Sequence, residues 1–109
     1  KVQVHVRVKP TNNFSTDHLE LNLNSEQISV HLPKHVTRGH IDNQQLDFSF
    51  CVDKLFHNAS QEEVYNESAH KMVLRALDGY SGTLLAFGQT GAGKTYTITG
   101  PPDSYRHRD

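Results

Sequence analysis

Eight consecutive residues carry most of the chemistry this sequence can offer: Gly88-Gln89-Thr90-Gly91-Ala92-Gly93-Lys94-Thr95. They fill every fixed position of the pattern G-x-x-x-x-G-K-[ST]. Glycines let a backbone take conformations closed to other residues and approach phosphate oxygens closely. The successive N–H groups of such a loop point inward and make an anion-binding nest. A helix starting at the loop's end adds its positive pole. Lys94 supplies a point charge for β- and γ-phosphates. Thr95 offers a hydroxyl to Mg²⁺, a hard cation that prefers oxygen. The pattern predicts a nucleotide-phosphate cradle over residues 88–95.

Such a loop must be positioned by the elements on either side. Thr83-Leu84-Leu85-Ala86-Phe87 reads as a short apolar strand of the kind buried on both faces. Beyond the loop, Tyr96-Thr97-Ile98-Thr99 runs directly into Gly100-Pro101-Pro102. The helix there has room for one or two turns before that break. Upstream, one long helix is predicted from about Gln61 to Asp78. Ser60 is its N-cap, and Glu63 three residues later completes a capping box. Val64, Ser68, Met72, Leu74, Ala76 and Leu77 form its apolar stripe, widened by Tyr65, Ala69 and Val73. Gly79 follows as the C′ residue, able to take a positive φ. Strand, helix and strand in that order imply parallel pairing through a right-handed crossover.

The first half of the chain alternates instead. Residues 2–8 place Val2, Val4, Val6 and Val8 on one face of a strand, which Pro10 ends. Residues 19–23 and 28–32 alternate around Asn24-Ser25-Glu26-Gln27, a hairpin signal with a four-residue loop. Pro33 ends the second arm, and residues 34–45 read as a surface loop. Residues 46–52 resume alternation, with Leu46, Phe48, Phe50 and Val52 on one face.

Composition excludes several classes. In 109 residues there are 11 basic and 12 acidic side chains, so the chain is neither a polycation built for nucleic acid nor an acidic tail. The longest wholly apolar run, Leu84 to Phe87, is far short of a membrane-spanning helix. The single cysteine, Cys51, excludes a disulfide scaffold and fits a reducing compartment; alternation reads it as a partly buried thiol. The 8 histidines show no metal-ligand spacing. His31 and His35 are four apart, but Pro33 lies between them. Three N-x-[ST] matches, at Asn13, Asn58 and Asn66, fall in what reads as a cytosolic nucleotide-binding chain and are not read as glycosylation sites.

With these residues in view, the sequence resembles the N-terminal part of a kinesin motor domain over nearly its whole length. Arg7-Val8-Lys9-Pro10 is similar to the family's R-x-R-P motif. Phe48-Ser49-Phe50 through Asp53-Lys54-Leu55-Phe56 resembles F-x-F-D-x-V-F. Gln61-Glu62-Glu63-Val64-Tyr65 resembles Q-x-x-V-Y, and Gly79-Tyr80-Ser81-Gly82-Thr83 resembles G-Y-N-G-T. Gly88 to Thr99 resembles the family's phosphate loop with its T-x-T-M continuation. Arg38-Gly39, Asn43-Gln44-Gln45 and Phe48-Ser49-Phe50 look most like the kinesin-9 group. Three departures stand out: Lys9 in place of a second arginine, Phe87 in place of tyrosine, and Leu55 in place of valine. Lys9 loses a planar stacking group.

The resemblance implies an α/β P-loop NTPase of kinesin-motor type, seen from its first strand through the phosphate loop. That fold would have a mixed sheet with a β-hairpin lobe and one long helix. It implies ATP and Mg²⁺ as ligands, with Gly88, Gln89, Thr90, Gly91, Ala92, Gly93, Lys94 and Thr95 on the phosphates and Thr95 at the metal. Arg7, Pro10 and Tyr96 would line an adenine pocket, where guanidinium and aromatic faces stack on a purine. It further implies a microtubule-stimulated ATPase that moves along microtubules, placed in the cytoplasm on the cytoskeleton, with a cilium or flagellum as the kinesin-9 address. Another P-loop NTPase, such as a nucleotide kinase, and a non-catalytic nucleotide-binding fragment are the competing readings.

Phosphoryl transfer also needs an acidic group on the Mg²⁺ side, a positioned water and charge stabilisation at the γ-phosphate. Only 14 of the 109 residues follow Thr95, and no apolar strand ending in aspartate occurs among them. The chain starts at Lys1 with what reads as a core strand. Both ends are therefore expected to be cuts through a longer protein. The switch segments and microtubule-binding surface would lie outside, and the piece alone would be inactive.

Overall fold

The computed structural model describes residues 1–32 and 47–103. These hold five strands: β1 (His5–Val8), β2 (Leu19–Asn22), β3 (Gln27–His31), β4 (Asp47–Cys51) and β5 (Lys54–His57). Three helices follow, α1 (Gln61–Ser68), α2 (His70–Leu77) and α3 (Lys94–Thr99). The chain divides into two compact units, one ending at His57 and the other starting at Asn58.

In the first unit the predicted hairpin forms. β2 and β3 pair antiparallel, and β4 adds antiparallel to β3. The register puts Leu21 opposite Ile28 and Ile28 opposite Phe50, with Val30 between Leu19 and Phe48. Directly paired residues share a face, so Leu19, Leu21, Ile28, Val30, Phe48 and Phe50 make one apolar side. The other side is polar. There the Ser29 and Ser49 hydroxyls meet at 3.0 Å, and His31 sits between Asp47 and Glu20. The hairpin turn is built by Asn22, whose Oδ1 accepts from the N–H groups of Asn24 (3.1 Å) and Ser25 (3.2 Å).

β5 was not foreseen, and it is the best-covered element among the described residues. It pairs in parallel with β1, with Val6 opposite Leu55 and Arg7 opposite Phe56. Leu55 and Phe56 are adjacent, so they point to opposite faces, yet they are only 3% and 2% exposed. Both faces of β5 are therefore covered. Lys-Leu-Phe-His has no alternation to detect, which is the signature of such a strand. Glu26 fastens the hairpin to it. The Glu26 carboxylate accepts from the Leu55 N–H and lies 3.6 Å from Lys54 Nζ. Its carbonyl accepts from the Val52 N–H at 2.9 Å. This junction holds Glu26 at φ 52°, unusual for a residue with a side chain.

Several expectations are corrected. β1 starts at His5, not Val2, and Val2 and Val4 are exposed. Val4 instead exchanges hydrogen bonds with Asp53, its N–H donating to Oδ2 at 2.7 Å and its carbonyl accepting from the Asp53 N–H at 2.9 Å. Cys51 is exposed rather than partly buried, because β4 ends the strand order β2-β3-β4. The single mixed sheet is, among the described residues, two sheets. Leu46 and residues 34–45 lie outside the described residues, as do the loop motifs at Arg38-Gly39 and Asn43-Gln44-Gln45.

In the second unit the predicted long helix is two helices. Ala69 separates them at φ −105°, ψ −25°. The Ser68 hydroxyl donates back to the Val64 carbonyl, an interaction that bends helices. Both ends are made as the sequence indicates. Ser60 Oγ accepts from the Glu63 N–H at 3.1 Å. At the other end Gly79 takes φ 95°, with its N–H bonded to Ala76 O and that of Tyr80 to Arg75 O, both at 3.0 Å. That pair of bonds is a Schellman motif. The stripe is less covered than its pattern implies. Val64 is buried and Met72 half-buried, but Leu77 is 80% exposed. Residues 83–87 form no strand, and Leu85 is 87% exposed. A strand exists only through a ladder partner, and none among the described residues pairs with this run. The crossover unit expected there is absent from the described residues for the same reason. No helix among them is long and apolar enough to cross a membrane.

Candidate functional site

The phosphate loop owes its path to three glycines that serve two different ends. Gly91 and Gly93 take φ 82° and 102°, and a Cβ at either would meet nothing within 4 Å. These positions need glycine for backbone conformation alone. Gly88 needs it for space. A Cβ there would lie 3.1 Å from the Ala92 Cβ and 3.8 Å from Lys94 Cγ. Between them the chain turns tightly, with the Ala92 N–H donating to Gln89 O at 3.1 Å.

Gly93 is the N-cap of α3, and Lys94 its first residue. This helix has the short length its sequence predicts. The Thr97 N–H donates to Gly93 O at 2.9 Å, and the Gly100 N–H donates to Tyr96 O at 2.8 Å, with Gly100 at φ 82°. The Thr97 and Thr99 hydroxyls donate to Gly93 O and Thr95 O, each at 2.8 Å. Thr97 and Thr99 thus bond back to their own helix.

The half-buried Lys94 side chain folds over the loop. Its ammonium donates to the carbonyls of Gly88 and, at 3.2 Å, Gln89. A cation is thereby held against the loop's own oxygens, at the place a phosphate oxygen would be recognised. An ionised oxygen adds a direct charge–charge attraction to an ammonium that a neutral carbonyl lacks. The cradle therefore fits an anionic group. Among the described residues, this is where a fixed cation, loop glycines and a magnesium-compatible hydroxyl come together.

Gly88, Gln89, Thr90, Gly91, Ala92, Gly93, Lys94, Thr95 and Tyr96 all lie in the second unit. Thr95 and Tyr96 are exposed on the first turn of α3. Arg7 and Pro10 lie in the first unit, Arg7 half-buried within β1 and Pro10 exposed just beyond it.

Two residues of the second unit make contacts that the sequence reading did not foresee. The Gln61 side-chain amide donates to Thr97 O at 2.8 Å and to Tyr96 O at 3.3 Å, tying the start of α1 to α3. The sequence marks Gln61 as a helix start and as the first residue of the Q-x-x-V-Y resemblance, but nothing local couples it to a residue 36 positions away. At Gly82 a Cβ would lie 2.6 Å from Met72 Cγ, so the chain there needs glycine to pass Met72.

Comparison with known proteins gives a consistent result. A family model described as the kinesin motor domain matches residues 7–107. The chain is 49% identical over 108 residues to kinesin-like protein KIF9 of Mus musculus, covering 99% of this chain and 14% of that protein. It is 44% identical over 107 residues to kinesin-like protein KLP1 of Chlamydomonas reinhardtii, again 14% of that protein. Over 52 residues, 47% of this chain, it is 54% identical to the kinesin heavy chain of Drosophila melanogaster. The chain thus spans about a seventh of the length of the first two relatives.

Proposed function

The chain belongs to the kinesin motor domain family, and from that premise we propose that residues 88–95 bind the phosphates of ATP in a motor whose whole protein hydrolyses ATP to move along microtubules. The observation that carries this reading is the Lys94 ammonium held across the loop by the Gly88 and Gln89 carbonyls. In the nucleotide-bound protein Lys94 exchanges these neutral acceptors for β- and γ-phosphate oxygens. The loop N–H groups cradle the same phosphates. The Thr95 hydroxyl would be the chain's ligand to magnesium. When bound, that ion neutralises charge on the phosphate oxygens. The family resemblance assigns Arg7 and Pro10 of the first unit, and separately Tyr96 of the second, to adenine recognition through guanidinium and aromatic faces. Lys9 leaves the first unit's contribution one planar group short of the family's R-x-R-P motif.

Microtubules are the partner of the whole protein, stimulating its ATPase, and the cytoskeleton is its place. The resemblance to the kinesin-9 group extends this to a cilium or flagellum. The test is Lys94→Ala in the full-length protein. Losing charge-assisted bonds to two phosphate groups weakens ATP binding about a hundredfold and abolishes nucleotide-dependent release from microtubules. Unchanged ATP affinity in that variant refutes the reading.

A further inference from the structure

We infer that Gln61 is a positioning residue for the nucleotide site, holding α3 in register from its C-terminal end; this rests on the phosphate-loop reading above. α3 has six residues, too few to be stable in isolation. Its first residue carries the ammonium at the loop, and its second and third are Thr95 and Tyr96. Three consecutive residues assigned to the nucleotide therefore ride on one short helix, and any rotation or slip of it misplaces all three.

The helix is secured from both directions. At its start Gly93 O takes the Thr97 N–H and hydroxyl. At its end the last carbonyls have no intrahelical partner and need one from outside. Tyr96 O takes the Gly100 N–H, and Thr97 O takes the Gln61 amide at 2.8 Å. The second Gln61 contact, 3.3 Å to Tyr96 O, spreads the same amide over two successive carbonyls. Gln61 can serve as a fixed post because it is the first residue of α1, directly after the Ser60 cap, and is itself half-buried. The tie joins residues 36 apart in sequence, so it sets tertiary position and not local helix geometry. An amide is the fitting group there, since two donors on one nitrogen can face two carbonyls.

The test compares Gln61→Met and Gln61→Glu with the unsubstituted full-length protein. Methionine keeps volume and loses the donor. Glutamate loses it too, but is favourable in the first turn of a helix. Gln61→Glu should therefore leave the melting temperature unchanged while Mg·ADP affinity falls about fivefold, the equivalent of one hydrogen bond. Gln61→Met should show a similar loss. Hydrogen exchange should be faster at the Thr97 and Gly100 amides in both variants, with nucleotide and without it. Wild-type affinity together with wild-type exchange in both variants overturns the inference. Affinity that falls only in step with melting temperature also overturns it, since Gln61 would then be supporting the fold alone. Failure of the underlying reading looks different: Lys94→Ala would bind Mg·ADP normally, whatever the Gln61 variants do.

Discussion

Each of the two compact units of this chain is held together internally, and in the opposite way to the other. In the first unit the decisive bonds join distant residues. The Glu26 carboxylate reaches the Leu55 N–H across 29 positions, and Val4 meets Asp53 across 49. In the second unit most bonds are local: Ser60 to Glu63, Lys94 to Gly88, Thr97 to Gly93. The difference shows where chemistry can be written compactly. A phosphate cradle needs a few residues in fixed order, with glycines at positive φ, and eight neighbours suffice. A covered strand needs partners from elsewhere in the chain.

The largest effect that sharpens this contrast is expected in the first unit. Phe56 is nearly fully buried in β5, so Phe56→Ala leaves a cavity and costs about 3–5 kcal/mol. Urea denaturation measures it. A loss below about 1 kcal/mol would mean that the site collapses freely, and that β5 is not the centre of its unit.

The second unit should respond to backbone conformation instead. A Cβ on Gly93 meets no atom within 4 Å, so Gly93→Ala costs only its left-handed conformation, about 1–2 kcal/mol. Gly93→Asn should recover part of this, because asparagine tolerates that region. Equal losses for alanine and asparagine would show that space, not φ, sets the requirement. Smaller again is Ser60→Ala. Removing the hydroxyl that accepts from the Glu63 N–H costs about 1 kcal/mol. The loss should appear in thermal melts followed by circular dichroism, and a serine-to-threonine change should restore most of it.

The same contrast explains what could be read in advance. The hairpin of β2 and β3, the left-handed glycines of the 88–95 loop, the brevity of α3, the Ser60 cap and the Gly79 terminus were all legible, since each is specified within a dozen residues. β5 was missed because Leu55 and Phe56 are buried on opposite faces and leave no period-two pattern. Its signature was instead assigned to residues 83–87, which have the right composition but no ladder partner among the described residues. The break at Ala69 was hidden because the apolar stripe runs through it. Gln61 was visible as a helix start, and its link to Thr97 is purely tertiary. Around residues 88–97, then, the local turns were readable and the tie to Gln61 was not.

The smallest predicted effect lies on the polar face of the hairpin sheet and depends on pH. His31 Nδ1 donates to Asp47 Oδ1 at 2.8 Å on β4, and its Nε2 lies 3.8 Å from Glu20 Oε2 on β2. One imidazole thus bridges three strands. The hydrogen bond to Asp47 is the main cause that raises its pKa above the ordinary value of 6.5; the charges of Asp47 and Glu20 add to this, and partial desolvation opposes it. His18 also approaches, but its Nδ1–H donates to the His31 carbonyl at 3.1 Å and not to the ring. Because the native pKa is raised, protonated His31 stabilises the sheet. That contribution is complete below the unfolded pKa of about 6.5 and disappears as pH rises through the higher native value. Stability of the unsubstituted protein minus that of His31→Gln should therefore be larger below the unfolded pKa of about 6.5 and shrink as pH rises through the raised native value. The carboxylates are exposed, so added salt should shrink the difference at the acidic end. A difference that is flat with pH would show that His31 contributes through the neutral hydrogen bond alone, leaving the three strands held by their backbone ladders.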